Sequence, residues 1–362
     1  MKRIIVILSG IVFFQSCTTE SEPIKVKESV KIDVIEETQE VLPETFNPIF
    51  KALDSLSSFK KTNFSPTLEG RVKKGDNLIY AATMLFAWDE FRKEIKDSII
   101  DIESEELRLI NNSKSFKGVL TENEYETSVE IIEDTIIVRS SFKKSLPFSY
   151  PLTKFESPLL FKGDSVESFG FYGENFKSSI NYYKTDDNFS ISLLPKDNKH
   201  EIILIKLLST ESKSLKEVFE KYNTEKQNFI EHKTPDVDWK YGYQHRDYVK
   251  IPKLNFNIES NFETIENSSF TTSKSIYKIL TFYQKNAFIL NEEGVKVESD
   301  AIVESVTESA GEIGVEVPQP KYMVFDTDFV IFLKRKDAEF PYFGVYIAND
   351  ELMIKFDEMG SH

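Results

Sequence analysis

The chain has 362 residues, with 45 Lys and Arg against 60 Asp and Glu, for a formal net charge of −15 at pH 7. So acidic a surface argues against nucleic acid as a partner, because phosphate recognition needs clustered Lys and Arg. The only cysteine is Cys17, which excludes an intramolecular disulfide and leaves a hydrophobic core as the source of stability.

The amino terminus reads as an export signal. Lys2 and Arg3 precede an apolar run from Ile4 to Phe14, which ends in Phe14-Gln15-Ser16-Cys17. The run is too short to span a bilayer as a mature helix. Small residues before a cysteine suit a lipoprotein signal peptidase, which would remove residues 1–16 and leave Cys17 as the acylated, palmitate-bearing end of a lipoprotein. The expected location is then the bacterial cell envelope, lipid-anchored, at the outer membrane. The alternative is an ordinary secretory peptide with a cysteine there by chance.

Thr18 to Glu44 holds no aromatic residue and no glycine. It carries Glu20, Glu22, Glu28, Asp33, Glu36, Glu37, Glu40 and Glu44 against Lys25, Lys27 and Lys31. Such a segment buries too little apolar surface to fold alone, so residues 17–44 read as an acidic tether with a reach of roughly 30 Å. A short helix or strand docked on the body is the other reading. Residues 45–362 then form one folded body, long for a single domain but compatible with large sheets.

Within the body, Asn47 and Pro48 resemble a helix cap and first-turn residue ahead of Ile49, Phe50, Leu53 and Leu56. Thr83 is placed to cap a second helix whose Met84, Trp88, Phe91 and Ile95 recur on one face. Beyond about residue 130 the pattern turns to strands: Thr135 to Phe142, Val166 to Tyr172, Ser178 to Tyr183, Phe189 to Leu194, Glu201 to Leu207 and Tyr248 to Ile258. A helix interrupts them, with Ser214 as cap and Leu215, Val218, Phe219 and Tyr222 on its buried side. The expected closing strands are Phe329 to Leu333, Tyr342 to Ile347 and Leu352 to Phe356. The whole predicts an α+β fold, with helices mostly in the N-terminal part packed on large, mainly antiparallel sheets.

Catalytic motifs are missing from the sequence: no G-x-S-x-G, H-E-x-x-H, P-loop, G-x-G-x-x-G or EF-hand loop. His200, His232, His245 and His362 are spread along the chain. Asp236 with Asp238, and Asp326 with Asp328, are the tightest carboxylate pairs outside the tether. Either can in principle hold a cation, but in so acidic a chain such pairs are usually solvated turn residues. No catalytic residue, metal site or cofactor is expected, and the chain is not read as an enzyme.

The last two-thirds of the chain resembles the serpin family. Ile251, Pro252, Lys253, Leu254, Phe256 and Ile258 are similar to the family's V-x-L-P-K-F-x-I-E strand. Gln284-Lys-Asn-Ala-Phe-Ile-Leu-Asn-Glu-Glu-Gly294 resembles H-K-A-x-x-x-V-N-E-E-G, and Phe325 to Lys334 with Tyr342 to Tyr346 resembles the family's closing strands. The three occur in the family's order. Ile136 to Phe142 with Pro147-Phe148, and Phe176 to Leu207, resemble upstream family segments. The tryptophan expected before Pro147 is absent, the Ser-Pro expected after Asn77 to Tyr80 is absent, and the region from Ile79 to Phe288 is short. The resemblance is therefore to a divergent, shortened member.

That resemblance implies an exposed loop which, once cut by a protease, inserts as a new strand of the main sheet. Insertion needs alternate residues to be small or apolar, since strand side chains alternate between faces. The implied hinge is Gly294, with Val295, Val297, Ser299, Ala301 and Val303 inward and Lys296, Glu298 and Asp300 facing water. By family spacing the scissile bond would lie at Glu308-Ser309. An ordinary half-exposed edge strand fits the same alternation.

Three functions remain open at this point. One is a membrane-tethered protease inhibitor that uses the loop from Gly294 to about Pro320 against an extracytoplasmic protease. Another is a non-inhibitory surface lipoprotein that keeps the fold for binding a partner or ligand. The third is an enzyme or glycan-capture lipoprotein on another fold.

Overall fold

The computed structural model describes Phe46 and residues 48–132, 135–173, 178–207, 214–297 and 319–357. The expected signal peptide, Cys17 and the expected tether lie outside the described residues, as do Ser299, Ala301, Val303, Glu308 and Ser309. The architecture is α+β and strand-rich. Three α-helices, α1 (Thr83–Ile95), α2 (Glu105–Asn112) and α3 (Leu215–Glu231), accompany five sheets among the described residues.

The seven-stranded sheet runs in the order Ser178–Thr185, Asn188–Leu193, His200–Lys206, Phe329–Arg335, Phe343–Ile347, Asn77–Ala81, Thr62–Ser65. All neighbours are antiparallel except the last pair. Its middle strands are continuous apolar runs, Ile202 to Ile205 and Phe329 to Leu333, and every residue in them is buried. A strand of that kind needs cover on both faces. Phe332 meets Phe219 of α3 edge-on at 5.3 Å. Phe343, on the next strand, stacks at 5.0 Å on Phe288 of the main sheet. Each fully buried Ile or Phe of this layer contributes roughly 1.5–3 kcal/mol.

The main sheet has five strands in the order Asp54–Ser55, Leu254–Asn261, Tyr283–Asn291, Gly294–Val297, Lys144–Pro147. A four-stranded sheet holds Tyr322–Val324, Tyr248–Pro252, Asp164–Tyr172 and Thr153–Phe161. The 298–318 connection thus joins the main sheet to the four-stranded sheet. Smaller sheets pair Glu126–Ile132 with Thr135–Ser141, and Ile276–Lys278, Ser269–Thr272 and Ile99–Ile102.

Several sequence expectations change. Strands begin well before residue 130, at Asp54, Thr62, Asn77 and Ile99, while α3 lies mid-chain where the sequence places a helix. Ser214 does cap α3, accepting the Glu217 amide at 3.2 Å. Helix α1 is present, but Ala82 rather than Thr83 stands at its N-cap, and the Thr83 hydroxyl instead accepts from Gln284 Nε2 at 3.1 Å. No helix follows Pro48: the chain stays irregular to Leu53, then forms a two-residue strand and a single 3-10 turn, Leu56–Ser58. Tyr248 to Ile258 is extended, but as two strands of two different sheets. Lys253 sits at the switch, its amide bonded to the Glu167 carbonyl at 2.9 Å. Leu352 to Phe356 is not a strand: it begins in a 3-10 turn and makes only isolated bridges, Met353 to Leu254 and Lys355 to Val166. No helix among the described residues is long and apolar enough to cross a membrane.

Candidate functional site

The implied hinge lies inside the main sheet. The strand Tyr283–Asn291 ends in a turn where Asn291 Oδ1 accepts the amides of Glu293 and Gly294 at 3.0 and 3.2 Å. Asn is suited to this because its side chain closes such a turn on its own backbone. The turn is clamped from outside, since the Leu152 and Phe148 amides donate to the carbonyls of Glu292 and Glu293 at 2.7 and 2.9 Å. Lys253 Nζ reaches Glu292 at 2.8 Å and Glu167 at 3.3 Å. Burial, then the neighbouring Glu292, holds the Glu293 carboxyl above its ordinary range. Gly294 is required here: a Cβ would lie 2.6 Å from Pro147 Cα and 2.7 Å from the Leu146 carbonyl oxygen.

Gly294–Val297 then returns as a strand between Tyr283–Asn291 and Lys144–Pro147, antiparallel to both. Val295 pairs with Leu290 on one side and Leu146 on the other, and all three are buried. The expectation that Lys296 faces water does not hold: it is 6% exposed. Its Nζ donates to the Pro48 carbonyl at 3.0 Å and stands 5.4 Å from the Phe50 ring centroid. The segment around Pro48 covers the sheet's outer face there and turns a solvent position into a buried one.

Past Val297 the sheet offers unused edge. Tyr283–Phe288 has no strand partner on the loop side among the described residues, and Thr135–Ser141 pairs only with Glu126–Ile132. On the inner face of that edge Gln284 and Asn286 are buried, and Gln284 Oε1 and Asn286 Nδ2 have no hydrogen-bond partner among the described residues. Buried polar atoms of this kind each leave a desolvation cost uncompensated.

The far end of the connection is equally fixed. Lys321 and Asp247 are both fully buried and paired, Nζ to Oδ2 at 2.5 Å. Asp247 also accepts the Lys321 amide at 2.8 Å through Oδ1 and the Gln244 amide at 2.8 Å through Oδ2. Lys321 Nζ adds the Trp239 carbonyl at 2.8 Å and the Trp239 ring at 5.4 Å. Burial lowers the Lys321 pKa, and the Asp247 carboxylate opposes that shift.

A second ionic cluster anchors the strand beside the hinge. Glu124 pairs with Lys144, accepts from Arg335 Nη1 at 2.7 Å and from the Thr121 amide and hydroxyl at 2.9 Å. His200 lies between carboxylates, Nδ1 at 2.7 Å from Asp197 and Nε2 at 3.2 Å from Glu124. Burial alone would raise the Glu124 carboxyl, but Lys144, Thr121 and Arg335 outweigh it and hold the group well below its ordinary 4.5. A depressed carboxylate contributes stability that is complete above the unfolded-state value and is lost as pH falls through the folded-state one. Melting curves between pH 5 and pH 2 should therefore show a steep acid limb that Glu124→Gln flattens, the variant starting lower at pH 5. Parallel curves for the two proteins would contradict this.

The carboxylate pairs singled out in the sequence serve structure. Asp326 accepts from buried Lys206 at 2.8 Å. Asp328 accepts the Tyr346 hydroxyl at 2.5 Å and pairs with Lys162. Asp238 pairs with Lys233 at 2.8 Å, and Asp236 sits in the first turn of the 3-10 helix Pro235–Lys240. No cluster of three or more potential metal ligands occurs among the described residues. Sequence reasoning missed Glu124, Asp247 and Lys321, whose ionic partners lie 20 to 211 positions away and leave no local pattern.

No protein-family model matches the sequence, and no curated protein matches it. Among solved structures, a serpin from the trematode Schistosoma haematobium aligns with a TM-score of 0.35 and 12% identity, over 60% of this chain and 57% of that one. A serpin from Schistosoma mansoni aligns with a TM-score of 0.34 and 14% identity, over 60% and 57% of the two chains. Native protease nexin-1 with heparin aligns with a TM-score of 0.33 and 12% identity, over 59% and 56%. The alignments thus span little more than half the length of these proteins.

Proposed function

We propose that this chain is a membrane-tethered, serpin-like protease inhibitor, a divergent bacterial lipoprotein that uses the connection between Gly294 and Pro320 as bait for an extracytoplasmic protease. One observation carries the reading. The first four residues after the Asn291 turn already occupy a strand between two others, and beyond them no described strand pairs with the loop-side edge of Tyr283–Phe288. A cut at Glu308-Ser309 would free the segment behind Val297 to continue that strand. Backbone ladder bonds and burial of alternate side chains would drive the step. The order of the Ile251–Ile258, Gln284–Gly294 and Phe325–Lys334 segments supports the same reading.

The test is to incubate the folded chain with a panel of active serine and cysteine proteases and run denaturing gels. A protease-dependent band that survives SDS is expected for at least one enzyme, and it should disappear with active-site-blocked enzyme. Cleavage by every protease without a stable band would remove the inhibitor reading. The anchor rests on Cys17: Cys17→Ala should abolish lipid labelling and move the protein out of the membrane fraction. Retention in the membrane fraction would contradict a lipid anchor.

A second reading, a non-inhibitory protein that binds a partner or ligand, is favoured by one surface feature. Tyr172, Tyr248 and Tyr322 stand in register across three strands of the four-stranded sheet. Tyr172 and Tyr322 are 66% and 53% exposed, and Tyr172 stacks on Tyr248 at 4.7 Å. An exposed aromatic row suits recognition better than it suits folding.

A further inference from the structure

The segment from Pro48 to Ser55 runs along the outer face of the main sheet. Phe46 is 1% exposed. The Pro48 carbonyl accepts from Lys296 Nζ at 3.0 Å, and the Phe50 ring lies 5.4 Å from the same ammonium. The Ile49 carbonyl accepts from Asn255 Nδ2 at 3.2 Å, the Lys51 amide donates to Asn255 Oδ1 at 3.1 Å, and the Lys51 carbonyl accepts from Asn257 Nδ2 at 3.1 Å. Asp54 and Ser55 then pair in parallel with Ile258 and Glu259. One stretch of backbone is therefore bonded to the edge-side strand Leu254–Asn261 and to the hinge strand Gly294–Val297, with Tyr283–Asn291 between them.

Nothing in the segment's own sequence demands this extended course, since its backbone groups are taken by side chains about 200 positions away. The asymmetry of the contacts matters. Val295 is held by core packing and by two ladders, whereas the outer side of the hinge strand depends on Lys296, whose charge faces a carbonyl and an aromatic ring supplied by the segment.

We propose that residues 48–55 form a latch that keeps Gly294–Val297 in the sheet and thereby limits how much of the 298–318 connection is presented. When the latch is closed, the hinge strand is fixed and the connection starts at residue 298. When it lifts, Lys296 loses its carbonyl and ring partners, the outer face becomes wet, and the four hinge residues are free to leave. The latch follows the tether closely in sequence, so whatever draws on the chain ahead of Pro48 acts on the hinge. This deepens the inhibitor reading by giving its loop a control element. The latch itself is a property of the sheet and is testable without a protease.

The experiment is amide hydrogen exchange on the full chain and on the double variant Asn255→Ala with Asn257→Ala, which removes three of the latch's side-chain hydrogen bonds. Exchange at residues 49–53 and at Val295 to Val297 should accelerate together, by about tenfold or more, because each lost bond costs a modest fraction of local stability. The strands His200–Lys206 and Phe329–Arg335 should keep their protection. Faster exchange at 49–53 with the hinge strand unchanged would overturn the proposal and leave the segment as ordinary packing. If the double variant does not fold, Lys296→Met takes its place, keeping side-chain length while removing the donor and the charge, with the same two outcomes. Because the readout is exchange, a failed latch and a failed protease-trapping assay remain separate results.

Discussion

Asp247→Ala should lower the melting temperature by roughly 10 °C, the largest drop expected from any single substitution away from the apolar core. The carboxylate it removes faces a fully buried ammonium at 2.5 Å. Lys321 would keep the Trp239 carbonyl and the Trp239 and Tyr183 rings, but no carboxylate in contact. An unpaired charge in that position costs about 3–5 kcal/mol, and two backbone amides, those of Gln244 and Lys321, would lose their acceptor as well. The cost falls where two strands start, because Asp247 precedes Tyr248–Pro252 and Lys321 precedes Tyr322–Val324. The double variant Asp247→Ala with Lys321→Met should recover a large part of the loss, since an apolar pair of similar volume often replaces a buried ion pair with little penalty. Thermal melts of both singles and the double would check this. A single variant that melts within a degree or two of the parent would contradict the account of how the far end of the connection is held.

The second large effect concerns loop insertion. Continuing the register of the hinge strand along its neighbour places Val297 opposite Phe288, Ser299 opposite Asn286 and Ala301 opposite Gln284. The sequence 297–303 thus sets an apolar or small residue against each inner position of the free edge. The Ser299 hydroxyl would arrive beside the partnerless Asn286 Nδ2. Burying two or three such residues and closing the ladder is worth several kcal/mol, which corresponds to a rise in melting temperature on the order of 10 °C. Ser299→Arg should abolish the rise, because the guanidinium would have to enter the buried face unpaired. Val295→Arg is a poorer probe, since Val295 is already fully buried in the uncut chain and the substitution would damage both forms.

How much of this was legible in the sequence depends on where the partners lie. Helices α1 and α3 show a helical spacing of apolar residues that packing then uses, so Met84, Trp88, Leu215 and Phe219 are read correctly from their own neighbourhood. The strands Phe329–Arg335 and His200–Lys206 announce themselves through the unbroken apolar runs Phe329 to Leu333 and Ile202 to Ile205. The latch does not. Asn47-Pro48 carries a helix-start signal that local reasoning must accept, and it is overruled by Asn255, Asn257 and Lys296, which claim the segment's backbone groups from across the chain. The same nonlocal cover explains why Lys296, a charge in an alternating strand, is buried. Tyr248 to Ile258 shows its extended character but not its division, since a change of sheet at Lys253 depends on Glu167 and Glu292 rather than on the strand's own pattern. The catalytic-looking Asp pairs near Val237 and Thr327 had no local signature that would separate an ion pair from a ligand set, and only Lys206, Lys162, Tyr346 and Lys233 decide it.

The most direct test of the central claim is the melting temperature of the chain after a single cut within residues 298–318, measured beside the uncut protein and its Ser299→Arg variant. The account predicts that the cut chain melts about 10 °C or more above the uncut one, with no such gain in the variant. A cut chain that melts at or below the uncut temperature would show that the free edge beside Tyr283–Phe288 does not accept the loop, and would contradict inhibition by insertion.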